Sequence, residues 1–216
     1  MSACCGGGHD SGHGHDHDLD DVYRKVLWVV FGVNAAMFCV EAVAGAIAGS
    51  VSLQADALDF LGDAANYLIA LFVLGKAVTW RAGAALLKGA AMAVFGVYVL
   101  GYSAYMAMAG GVPEAPVMGI VGTMALAANL GSAVLLYRHR TGDANRQSVW
   151  LCSRNDAIAN VAVIGAAGLV YLTHSNWPDL AVGFLMAALS LHSAWLVVRQ
   201  ATGELRRNRL RAHPAE

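Results

Sequence analysis

Residues 116–137, PVMGIVGTMALAANLGSAVLLY, run without one charged side chain. About twenty such residues in helical form cross the ~30 Å hydrocarbon layer of a bilayer. Outward from this stretch, five more apolar segments can be drawn at 24–48, 52–77, 83–109, 148–173 and 178–199. Gly49-Ser50, Gly110-Gly111-Val112-Pro113 and Ser175-Asn176-Trp177-Pro178 separate three of the pairs with turn chemistry, which makes consecutive helices antiparallel neighbours.

Composition supports the same solvent. The chain is 57% hydrophobic and 13% charged, against roughly 25% charged in a soluble domain. A net charge of −1 and the lack of any basic, aromatic-interleaved patch argue against a nucleic-acid partner. Four cysteines are too few for a disulfide framework, so the thiols are expected to be reduced. Residues 1–21 are rich in Gly, His and Asp rather than basic and then apolar, so the first helix is expected to act as the insertion signal.

The basic residues test this map independently, because Lys and Arg accumulate in cytoplasmic connections. Arg24 and Lys25 precede the first segment, and Lys76, Arg81 and Lys88 surround the second connection. Arg138, Arg140 and Arg146 fill the fourth, while Arg199, Arg206, Arg207, Arg209 and Arg211 follow the last segment. The first, third and fifth connections have none. Arg154, inside the fifth segment, is the exception. The expected fold is an all-α membrane protein of six transmembrane helices with both termini cytoplasmic. Its parts are a His/Gly/Asp-rich disordered tail (1–22), the helical domain (23–200) and a short basic tail (201–216).

Ionisable side chains at bilayer depth cost ~2.5–3.5 kcal/mol each even on lenient scales, so each is a functional candidate. Asp56, Asp59 and Asp63 fall at i, i+3 and i+7, one stripe of the second helix. Three carboxylates on a stripe repel one another unless protonated or shared with a cation. In the fifth segment Cys152 and Asp156 stand four apart, again on one face. The two pairs together make a four-ligand cage of Asp59, Asp63, Cys152 and Asp156. That set suits tetrahedral zinc, and its thiolate favours softer ions such as cadmium.

The stretch Ala48-Gly49-Ser50-Val51-Ser52-Leu53-Gln54-Ala55-Asp56-Ala57-Leu58-Asp59-Phe60-Leu61-Gly62-Asp63 resembles the second-helix signature of the cation diffusion facilitator family. The first segment, with Asn34 and Glu41 before Gly45 and Gly49, is similar too. The resemblance implies divalent metal/proton antiport, with Asp59, Asp63 and Asp156 matching the family's ligands. Position 152 departs from the pattern, holding Cys where His or Asp is usual. The family's cytoplasmic metallochaperone-like domain after the sixth helix is not evident, nor is its histidine-rich loop between helices four and five. A homodimer would then rest on the membrane helices.

The expected function is proton-coupled efflux of Zn2+ or Cd2+ from the cytoplasm across a bacterial inner-membrane type of cell membrane. Glu41, Asp56, Asn160 and His192 are accessory candidates. Glu41 reads as a proton carrier or secondary ligand, and Asn160 as an orienting group one turn beyond Asp156. His9, His13, His15 and His17, with Cys4 and Cys5, read as a low-affinity metal scavenger. The rivals are a metal-binding membrane sensor or subunit, and an intramembrane hydrolase. The latter needs a general base beside Cys152 that the fifth segment does not offer, so no enzyme is expected.

Overall fold

The computed structural model describes residues 16–72, 78–137 and 144–212. These form six helices: α1 (Asp16–Ala48), α2 (Val51–Phe72), α3 (Val78–Ala109), α4 (Ala115–Tyr137), α5 (Ala144–Thr173) and α6 (Trp177–Ala212). No strand occurs among the described residues, and the protein is an all-α membrane protein. Its helices alternate in direction. The helix ends that flank the Lys- and Arg-bearing connections gather at one end, called here the basic end, and the three short turns at the other.

Two helices outrun their apolar segments. α1 begins at Asp16, inside the stretch expected to be a disordered tail, and α6 continues to Ala212 through the stretch expected to be a separate basic tail. Hydropathy marks the membrane crossing, whereas backbone hydrogen bonding propagates one residue at a time into water wherever good helix formers follow. At ~1.5 Å per residue, the 36 residues of α6 extend about 54 Å, well past the hydrocarbon.

Five helices are long and apolar enough to cross a membrane; α2 is the exception. Its composition fails because of Asp56, Asp59 and Asp63, and its position explains how they are tolerated. α2 packs against every other helix, while the strongest remaining pairings are α3 with α6 and α4 with α5. From Val51 to Leu58 every residue is buried. Asp56 and Asp63 are buried and Asp59 is half-buried against Ser190 of α6, so protein and not lipid surrounds them, the arrangement that makes such a helix affordable in a bilayer.

The other five helices turn large apolar side chains outward, including Ile47, Leu87, Val94, Met108 and Leu172. Exposed aromatics ring both ends, with Trp28, Phe72 and Trp80 at the basic end and Tyr105, Tyr171 and Trp177 at the other. Such belts sit at the two membrane interfaces.

The α1–α2 turn is built from small residues for a physical reason. Gly49 has φ +68°, and the Ser50 N–H donates back to the Gly45 carbonyl at 2.9 Å. This is a Schellman closure, which needs a left-handed residue at that point. Ser50 then caps α2, its Oγ accepting from the Leu53 N–H at 3.2 Å.

Gly183 lets α6 touch the start of α2. A Cβ there would lie 2.6 Å from Val51 Cγ1, 2.7 Å from the Val51 carbonyl carbon and 2.8 Å from the Ser52 nitrogen. Because two of those atoms are backbone, Gly183→Ala must push the helices apart. The expected cost is ~1–3 kcal/mol, seen as a lower melting temperature in detergent. Gly165→Ala, whose Cβ meets nothing within 4 Å, serves as the control that leaves it unchanged or higher.

Candidate metal site

The three aspartates of α2 share a stripe but not a neighbourhood. Asp56, fully buried, faces Glu41 of α1. Asp59 accepts a hydrogen bond from Ser190 Oγ of α6 at 2.8 Å. Asp63 accepts from Tyr67 Oη at 3.2 Å and lies within hydrogen-bonding reach of Asp156 of α5. Lys88 of α3 faces Asp63 as well and donates to Asn66 Oδ1.

The Asp63–Asp156 meeting joins the two elements on which the candidate ligands lie. Asp59 and Asp56 are also within electrostatic range of Asp156, so the described charged groups around it are all acidic. Lys88 offsets one charge from the Asp63 side, and two carboxyl groups in contact in a low-dielectric bundle are further satisfied by a shared proton or a shared cation. Among the described residues, no three His, Cys, Asp or Glu side chains converge on a single point. Cys152 falls in α5 one turn before Asp156; its side chain lies outside the described residues, as do those of His9, His13, His15, His17, Cys4 and Cys5.

A second acidic pair lies nearer the short-turn end. Glu41 and Asp56 face each other, both fully buried, and among the described residues none of their four carboxyl oxygens meets a donor. As two carboxylates they have nothing to give each other. One proton between them supplies a hydrogen bond.

The remaining candidates divide. Asn160 is fully buried, yet among the described residues neither its amide nitrogen nor its oxygen finds a partner, Asp156 included. His192 lies on the exposed outer face of α6 beside Trp195, at 6.0 Å between ring centroids, away from the aspartates. Asn34 donates to the carbonyl of its own helix at Val30, at 2.7 Å.

Two residues that hold α2 against α6 carried no readable signal. Ser190 is a small residue in an apolar span, indistinguishable in sequence from a packing serine. Asp179, in the first turn of α6, looks like an ordinary acid complementing its own helix dipole. Its carboxylate instead accepts from Val51 N at 2.7 Å, Ser52 N at 3.0 Å, Ser50 Oγ at 2.7 Å and Ser52 Oγ at 2.6 Å, all at the start of α2.

Residues 27–205 match the cation efflux transmembrane domain. The chain is similar to the zinc transporter ZitB of Escherichia coli, 26% identical over 210 residues, covering 91% of this chain and 67% of that protein. It is also similar to the cadmium, cobalt and zinc/H(+)-K(+) antiporter of Bacillus velezensis, 24% identical over 207 residues, covering 88% and 65% respectively. The Bacillus subtilis antiporter of the same name is 24% identical over 204 residues, covering 87% and 65%. The chain spans about two thirds of the length of these relatives.

Proposed function

Because the chain belongs to the cation efflux transmembrane domain family, we propose that it expels divalent transition-metal ions from the cytoplasm in exchange for protons. Zinc and cadmium are the favoured cargo, held by Asp59, Asp63, Cys152 and Asp156. The observation that carries this reading is the meeting of Asp63 on α2 with Asp156 on α5, two acids inside an apolar bundle with each other as neighbours.

Metal ligands must be deprotonated, so loading a cation onto these carboxyls and the thiol releases protons, and protonation releases the cation. Acid on the outside therefore drives metal outward. With the basic end in the cytoplasm, α2 and α5 enclose the ion near mid-membrane and rock to expose it on the other side. The Glu41–Asp56 pair is suited to hold a proton during this exchange. The histidine-rich tail would gather cargo at the cytoplasmic mouth. Two copies would associate through the membrane helices, and the host membrane would be the bacterial inner membrane.

This is a carrier and not an enzyme in our reading. Flux into proteoliposomes under an imposed pH gradient tests the proposal. Zinc and cadmium should move only when the gradient is present, and Asp63→Ala should stop both. No flux for any first-row divalent ion or cadmium overturns it.

A further inference from the structure

Asp179 is 1% exposed, and four donors from residues 50–52 surround its carboxylate at 2.6–3.0 Å. Two of them are backbone N–H groups of the first turn of α2, which have no partner within their own helix. A carboxylate at a helix N-terminus combines charge-assisted hydrogen bonds with the favourable end of the helix dipole. What is unusual is that the acid belongs to another helix. Just below it, Gly183 brings the α6 backbone against Val51 and Ser52. Further along, Ser190 of α6 donates to Asp59 of α2.

Among the described residues, the other ties at this end are single and neutral. Glu114 N donates to the Ala48 carbonyl at 3.0 Å, and Asn176 Nδ2 donates to the Met106 carbonyl at 3.2 Å. Any motion that opens the bundle on this side must separate some of these contacts. The neutral pairs part at little cost, whereas parting Asp179 from α2 strands a buried charge and two helix-terminal donors together.

We infer that Asp179 is a positioning residue: it pins the outer ends of α2 and α6 together throughout the transport cycle, so that these helices move as one arm carrying Asp59 and Asp63. The cation is then gripped and released by displacement of α5, with Asp156 and Cys152, against that arm. This rests on the transport reading proposed above. It differs from an outer gate, which would need the same contact to break once in every cycle.

The test uses the full chain with Cys4, Cys5 and Cys39 replaced by serine as parent, and Ser50→Cys with Asp179→Cys as the pair. A two-carbon bis-methanethiosulfonate reagent links the pair, and the parent treated identically controls for reaction at Cys152. Unlinked, the pair should transport zinc at about one tenth of the parent rate per folded molecule, and linking should restore most of that rate. Arrest of flux by the link, or failure of the link to form, overturns the inference.

Asp179→Asn provides a variant that preserves shape. Its maximal zinc flux should fall about tenfold with KM within about twofold, and Asp179→Glu should recover part of the rate. Unchanged flux in Asp179→Asn would also overturn the inference. Should the parent itself move no metal, the transport reading fails while the pin stays testable. Linking yield must then be the same with and without zinc and across pH, and a yield that collapses on adding zinc shows the ends separating.

Discussion

Asp156→Asn should raise the melting temperature of the metal-free protein while abolishing its stabilisation by zinc. The charged groups that face Asp156 among the described residues are Asp63, Asp59 and Asp56, all acids. Without a metal ion the acids have a shared proton and the Lys88 ammonium on the Asp63 side to offset them, and an amide at position 156 removes one acid and offers Asp63 a donor in its place. A gain of ~1 kcal/mol corresponds to roughly 2–4 °C for a chain of this size. The wild type, in turn, should gain ~2.7 kcal/mol when zinc stands at a hundred times its dissociation constant. A variant lacking a ligand should not.

Transport by Asp156→Asn should fall at least about 100-fold, since loss of groups that only support a metal ligand already costs 10–100-fold. Combining it with Asp63→Asn should add almost nothing. Two residues that hold one ion fail as a unit, and their effects on rate do not add. Additive losses would mean that the two aspartates serve different ions. A metal-free protein destabilised by Asp156→Asn would mean that the pair is a structural hydrogen bond.

Hydropathy and charge were enough to read the helices, and the reasons are local. A run such as 116–137 suits a bilayer, and the Gly49-Ser50 pair reads as a turn that stops one helix and starts the next. The aspartate stripe was readable too, because helical spacing alone puts Asp56, Asp59 and Asp63 in line. Which neighbour each would meet was not. Glu41, Ser190 and Asp156 come from three different helices, and their approach is decided by packing across the whole bundle. The same holds for Asp179, whose hydrogen bonds close over 127 to 129 residues of sequence. Local reasoning assigns an acid in the first turn to its own helix. Only the close approach permitted by Gly183 redirects it to another.

Position 152 is where the sequence speaks most directly about cargo, and Cys152→His is the second large effect expected. A thiolate is a soft, polarisable donor that favours cadmium over zinc more than imidazole does, while both suit tetrahedral zinc. Exchanging one for the other keeps the ligand count and changes only its softness. Cadmium flux relative to zinc flux should therefore drop about tenfold, a change of ~1.4 kcal/mol in relative affinity, with zinc flux itself largely retained. Cys152→Ser separates this from mere loss of a ligand. Its hard, poorly ionising hydroxyl should lower the flux of both metals, cadmium the more. Flux of the two ions measured in the same vesicles decides the matter, because the ratio cancels any difference in protein orientation or yield. If the ratio is the same in wild type, Cys152→His and Cys152→Ser, Cys152 does not touch the ion, and the site is made by the aspartates alone.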